Sequence, residues 1–177
     1  MSIGTTSSLF GSVAISGLNL RNRIVMSPMS RYRSPGGVPD AAVVEYYRRR
    51  AAAGVGLIVS EATYIDHPGA PAYPNVPHFY GVPALAGWRR VLEAVHAEGA
   101  HMVPQIWHVG NTRKLGAPPD PAVPGYGPST VDQDGRTLGN IGKRTIPDGI
   151  TISAIDSRAV GEIRQLCRTM DKQVVPR

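Results

Sequence analysis

At 177 residues, with 42% hydrophobic and 18% charged side chains, the chain has the length and composition of one soluble globular domain. The single cysteine, Cys167, excludes an internal disulfide and suits a reducing, cytoplasmic home, while the longest uncharged apolar run, residues 51–59, is far short of the about 20 residues of a membrane span. The net charge of +6 includes one basic run, Arg48 to Arg50, near the end of a predicted helix; without zinc-finger spacing, Arg/Gly repeats or an RNA-binding aromatic pattern it does not indicate a nucleic-acid partner.

In chain order, Val13, Ile15, Leu18 and Leu20 bracket the turn-prone Ser16-Gly17, so residues 12–20 predict a small hairpin. A first long strand follows at Arg23 to Ser27. A helix starts at Pro39-Asp40 with Asp40 as its cap, carries Val43, Val44, Tyr47 and Ala51 on one side, and stops at Gly54. The next strand, Val55 to Ala62, is apolar on both faces for most of its length, as a strand covered on both sides should be. After a proline-rich loop a second helix places Leu85, Trp88, Leu92 and Val95 at three- and four-residue spacings and stops at Gly99. His101 to His108 is a third strand, although Pro104 inside it removes a ladder bond.

Strand, helix, strand, helix, strand with short helix-to-strand turns predicts parallel crossovers, hence an α/β barrel or an open doubly wound sheet. The turn after the first strand holds Pro28, Met29 and Ser30 and lacks the glycine pattern of an open nucleotide-binding sheet, which favours the barrel. Functional-looking residues follow each strand's carboxyl end, where either architecture binds its ligand. Glu61, at the end of an apolar strand, reads as structural rather than as a catalytic base. The five histidines show no metal-ligand spacing, so no metal site is expected.

The stretches "LFGSVAISGLNLRNRIVMSPMSRYRS", "GVGLIVSEATYI" and "VLEAVHAEGAHMVPQIWHVG" resemble, in order and spacing, the amino-terminal half of the old yellow enzyme family, the FMN-dependent NADH:flavin oxidoreductases and ene-reductases. The resemblance covers residues 9–110 and extends through "RTIPDGITISAID" to 156, which makes residues 1–156 the amino-terminal part of an FMN-binding TIM (β/α)8 barrel, a partial barrel of about three βα units after its hairpin. It implies FMN as cofactor, NADPH or NADH as reductant, and hydride transfer through the flavin to an enone or other activated alkene. Ser27, Pro28, Met29 and Ser30 would lie along the flavin ring, with the Ser30 hydroxyl donating to a ring carbonyl. Ala62 would be the small residue where the second strand passes close to the ring. Gln105 would pair its amide with the pyrimidine portion, and Tyr32 would reach over the substrate side. Asn111 stands where the resemblance leads one to expect an arginine.

A complete barrel of this kind takes about 200 residues or more. The expected fourth strand, with its substrate-gripping histidine pair and the tyrosine acid that follows, is not recognisable, so no catalytic residue is assigned. Residues 157–177 read as a divergent polar tail, truncated or frame-shifted, with Cys167 as core on a short helix rather than as a nucleophile. The proline- and glycine-rich stretch 111–149 reads as a surface excursion over the cleft, with a hairpin at 132–144, rather than as a separate domain. An alternative to the enzyme is a non-catalytic barrel fragment or subunit that needs another chain to complete the fold, with self-association through its open edges.

Overall fold

The computed structural model describes residues 6–15, 17–114 and 116–126. The expected hairpin at 132–144, the stretch 144–156, Cys167 and the tail 157–177 lie outside them. A short helix α1 (Thr6–Phe10), which the sequence did not announce, precedes β1 (Val13–Ile15) and β2 (Leu18–Leu20), an antiparallel pair that realises the predicted hairpin. There follow β3 (Val25–Met26), α2 (Ala41–Ala52), β4 (Leu57–Tyr64), α3 (Val82–Ala97) and β5 (His101–Trp107). Strands β3, β4 and β5 form a parallel sheet in that order, so β3 and β5 are its edges among the described residues. Contacts divide the described residues into two compact units, 6–66 with Pro74–Trp107, and His67–Tyr73 with 108–126.

In the first unit, Asp40 caps α2 as its sequence position predicts, the carboxylate accepting the Val43 N–H at 3.0 Å. Val43, Tyr47 and Ala51 recur at a four-residue spacing and are fully buried. At the far end Gly54 takes φ +99°, a left-handed conformation that closes the helix and turns the chain back towards β4. Arg21 gathers the two helix ends, its guanidinium donating to the carbonyls of Ala51, Val55 and Glu98.

Two predicted elements differ from those observed. The expected strand Arg23 to Ser27 pairs only at Val25 and Met26, opposite Leu57 and Ile58. Beyond that point the chain meets a side chain rather than the β4 backbone, the Arg31 N–H donating to the Glu61 carboxylate at 3.2 Å. In α3 the buried stripe is Ala84, Gly87, Trp88, Val91 and Val95, with Leu85 and Leu92 only half-buried. Gly87 causes this rotation: a Cβ there would stand 2.6 Å from the Pro39 carbonyl oxygen, so α3 turns its smallest residue to the start of α2 and packs closely.

The Pro104 irregularity has a structural counterpart. Between the pairs Val59↔Val103 and Ala62↔Gln105, β4 contributes two residues, Ser60 and Glu61, against Pro104 alone. This is a β-bulge, and the exposed Pro104 lies opposite it, where no regular ladder bond is required.

In the second unit residues 108–126 are drawn into a compact body with 67–73, while the rest of the stretch 111–149 lies outside the described residues. Arg113, buried, explains this: its guanidinium donates to the carbonyls of Pro71, Ala117, Pro118, Asp120 and Val123. The loop's buried guanidinium therefore comes from Arg113, two residues beyond Asn111.

The α2–α3 contact supplies a test. Helix propensity alone favours alanine over glycine by about 1 kcal/mol. Forcing a Cβ against a backbone oxygen costs about 1–3 kcal/mol. Gly87→Ala is therefore expected to lower the urea midpoint despite the better helix former, and Gly87→Val to lower it further.

Candidate functional site

The predicted site residues lie on the first unit, at and beyond the carboxyl ends of its parallel strands. Ser27 to Ser30 form the extended segment after β3, with Ser27, Met29 and Ser30 exposed and Pro28 half-buried. Ala62, 4% exposed on β4, stands directly opposite Gln105 on β5. Tyr32 is exposed and takes a positive φ of 56°, a sparsely populated conformation for a bulky residue. The link between the Ser27–Ser30 segment and β4 runs through Arg31, which follows Ser30, and Glu61, which precedes Ala62.

Strand alternation fixes the faces. Glu61 reaches Tyr47 of α2, so Ala62 and Tyr64 face the opposite side of the sheet, and the in-register partners Gln105 and Trp107 share that side. Tyr64 and Trp107 stack there at 5.4 Å between ring centroids and 18° between planes. This aromatic pair, which the sequence reading passed over, lies one strand repeat beyond the Ala62–Gln105 pair.

Gln105 is held by its backbone. Its N–H donates to the Ser60 hydroxyl at 3.0 Å, and its carbonyl accepts from the Thr63 hydroxyl at 2.9 Å. Ser60 in turn donates to the Glu61 carbonyl at 2.6 Å. Two side-chain hydroxyls thus carry bonds beside the bulge, and the Gln105 carboxamide has no hydrogen-bond partner among the described residues. Ser60 and Thr63 went unnoticed in the sequence; the one signal pointing to them was Pro104 opposite.

Behind this face sits a buried charge cluster. Glu61, 1% exposed, accepts from the Arg31 N–H, from Arg31 Nε at 3.0 Å and from Arg31 Nη2. The Tyr47 hydroxyl accepts the Glu61 N–H at 2.8 Å and faces its carboxylate at 3.4 Å. Burial first, and the Glu61 charge second, push the Tyr47 hydroxyl well above its ordinary range, so it stays protonated and serves as donor. The Arg31 guanidinium also lies 3.7 Å above the Tyr46 ring. Every acceptor oxygen of Glu61 is engaged by this chain, which fits the structural role read from the sequence.

The second unit holds a histidine pair. His108 Nε2 lies 3.0 Å from His67 Nδ1, while His108 Nδ1 accepts the Gly110 N–H at 2.9 Å and His67 Nδ1 accepts the Gly69 N–H at 3.1 Å. With His108 Nδ1 an acceptor, the proton sits on Nε2 and is donated to His67 Nδ1, so the bonding network assigns His108 as the Nε2–H tautomer. Burial, then His67 and Arg113, push His108 down to about 4.

Two predictions follow from these clusters. Glu61→Gln leaves the Arg31 guanidinium without its countercharge, and a broken buried pair costs about 3–5 kcal/mol, to be read as a loss of denaturation free energy. The histidines give a pH dependence. His108, and in the same direction His78 and His96, resist protonation in the fold by burial, whereas the unfolded chain protonates them near 6.5. Their contribution is complete above pH 6.5 and declines as pH falls from there towards about 4. Denaturation midpoints measured across that window should fall, and His108→Gln should reduce the slope.

Comparison with known proteins bears on this geometry. Residues 8–158 match the NADH:flavin oxidoreductase / NADH oxidase family. The chain is 39% identical over 116 residues to 12-oxophytodienoate reductase 7 of Oryza sativa subsp. japonica, covering 66% of this chain and 29% of that protein. It is 34% identical over 160 residues to the flavin oxidoreductase hxnT of Emericella nidulans, covering 83% of this chain and 38% of the relative. Among solved structures it is similar to morphinone reductase in complex with tetrahydroNAD, with a TM-score of 0.66 and 38% identity over 73% of this chain and 34% of that one. It is also similar to the Old Yellow Enzyme of Pichia sp. AKU4542, with a TM-score of 0.58 and 30% identity over 61% of this chain and 28% of that one. The chain thus spans about a third of the length of these relatives. Among the described residues no helix is long and apolar enough to cross a membrane. The match over 8–158, joined to three parallel strands with two helices packed along them, shows that the chain belongs to the NADH:flavin oxidoreductase / NADH oxidase family, that of the old yellow enzymes, and forms part of its α/β barrel.

Proposed function

We propose that this chain is the amino-terminal part of an FMN-dependent ene-reductase, with NADPH or NADH as reductant and an enone or other activated alkene as substrate. The observation that carries this reading is the in-register pair Ala62↔Gln105 on the sheet face opposite α2, with the Ser27–Ser30 segment following β3, the strand next to β4. The donor set suits the cofactor. A carboxamide without a partner among the described residues can both donate to and accept from a pyrimidine edge, Ala62 leaves room beside it, and the exposed Ser30 hydroxyl can donate to a ring carbonyl. FMN, when bound, supplies hydride acceptance from the nicotinamide and hydride donation to the alkene β-carbon, while an acid protonates the α-carbon.

The chain's own contribution is to bind and orient. Ser60 and Thr63 fix the Gln105 backbone so that its amide is presented in one place, and the Arg31–Glu61 pair fixes the segment carrying Ser27, Pro28, Met29 and Ser30. Tyr32, exposed beyond Ser30, lies on the substrate side in this reading. In this reading the acid and the substrate anchor come from later strands of the barrel. A cytoplasmic location goes with this reading.

A second reading is favoured by β3 and β5 being edges of the sheet among the described residues: a non-catalytic fragment or subunit that another chain must complete, prone to self-association. One experiment separates the two. The purified chain is titrated with FMN while flavin fluorescence is followed, and NADPH-dependent reduction of cyclohexenone is assayed. Under the second reading FMN binds weakly and no alkene is reduced; a yellow, monomeric preparation that turns over would show that this part of the barrel acts alone. In either case Gln105→Ala should weaken FMN binding about tenfold or more, the loss of roughly 1.5 kcal/mol of hydrogen bonding.

A further inference from the structure

Where β3 stops pairing, after Met26, the connection between β4 and α3 comes in beside β4 instead. The Tyr64 N–H donates to the Pro77 carbonyl at 3.0 Å, and the Tyr64 carbonyl accepts the Phe79 N–H at 2.8 Å. This parallel bridge sets His78 in register with Tyr64, whose partner on the other side is Trp107. In-register residues of parallel strands share a face, so His78, Tyr64 and Trp107 form a row on the side of the sheet that bears Ala62 and Gln105, one strand repeat nearer the carboxyl ends. The rings agree with this: His78 and Tyr64 lie 6.4 Å apart between centroids, and Tyr80 stacks on His78 at 4.7 Å and 7° between planes.

The fold fixes His78 closely and leaves its ring nitrogens unused. Its N–H donates to the Gly37 carbonyl at 2.8 Å, and its carbonyl accepts from the Trp88 indole at 3.0 Å. Gly37, at φ +76°, provides the space that the imidazole fills, since a Cβ there would collide with the ring. The ring is half-buried, and neither of its nitrogens has a hydrogen-bond partner among the described residues. Burial, opposed by the charge of Asp66, holds His78 below its ordinary range, so near pH 7 the imidazole is neutral, with one N–H to donate. A polar group that is positioned by its own chain, half-buried and unpaired is the kind that orients a ligand in a mostly aromatic pocket.

Under the flavin reading, on which the proposal rests, Ala62 and Gln105 meet the ring and the row lies one layer further out, where a second planar molecule stacks. We propose that His78 is a specificity-determining residue of this site, its imidazole N–H donating to an acceptor at the far end of a planar, aryl-conjugated enone that lies along Tyr64 and Trp107. The site then selects enones carrying a second acceptor, remote from the reacting carbonyl, over apolar ones of the same shape. The selection is a difference of one hydrogen bond, made or left unmade by an otherwise identical ligand.

The test compares benzylideneacetone with its pyridine analogue, in which nitrogen replaces the ring carbon para to the enone. The 177-residue chain is first titrated with FMN until the flavin fluorescence no longer changes, and the affinity of each enone is then measured. The wild-type chain is expected to prefer the pyridine analogue about fivefold, the net worth of one hydrogen bond. His78→Phe, whose ring refills the space over Gly37, should bind both enones alike with FMN affinity unchanged, and His78→Gln, which keeps a donor, should retain part of the preference. Circular dichroism establishes that each variant is folded. In the wild-type chain the ring-nitrogen resonances of His78 should move further with the pyridine analogue than with benzylideneacetone, a readout that needs no variant. A preference that persists in His78→Phe, or is absent from the wild-type chain, would overturn the proposal. Binding of FMN with neither enone would overturn it and leave the flavin reading standing, whereas failure to bind FMN would overturn both.

Discussion

A single buried carboxylate organises the strand ends. Glu61 sits at the bulge of β4, and its oxygens are shared between the Arg31 backbone and guanidinium and the Tyr47 hydroxyl. It thereby joins three elements that the sequence brings in separately: the segment after β3, the inner face of α2 and the bulge of β4. A charge in such a place is tolerable only because each oxygen has a donor, and removing one donor would leave the others facing an uncompensated ion. The position of Ser30 relative to Ala62 follows from this cluster more than from the sheet, since β3 contributes only two ladder residues.

The polar groups on the strands serve a related purpose. Where the bulge interrupts regular pairing, hydroxyls of Ser60 and Thr63 stand beside Gln105 and bond its backbone. Local irregularity is thus combined with a fixed position, which is how a binding side chain can be aimed without distorting the rest of the strand. The apolar stripe of α2 and the close approach at Gly87 lock the helices behind, so the face bearing Ala62 and Gln105 rests on a packed layer.

Much of this was legible in the residues. The Asp40 cap, the stripe Val43, Tyr47, Ala51 and the strand–helix order follow from local rules of capping and periodicity, and they appear as expected. The facing of α3 was misread because Leu85 and Leu92 are larger and more apolar than Ala84 and Gly87; only the tertiary contact with Pro39 reveals that the small residues point inwards. The roles of Arg31, Ser60, Thr63 and Arg113 depend on partners 30, 45, 42 and 42 residues away, which no local pattern encodes. Pro104 was the exception: a residue that breaks the rule for its element marked the place where the ladder changes register.

That proline has a further consequence at the edge of the sheet. Amide directions alternate along a strand, and the Gln105 N–H points towards β4, so the donor missing at Pro104 is missing from the outer side of β5. An incoming strand would find a gap near the middle of that edge, opposite the residue that cannot donate. Among the described residues β5 is an edge of the sheet, and one absent hydrogen atom leaves a gap in the bonding that its outer side can offer.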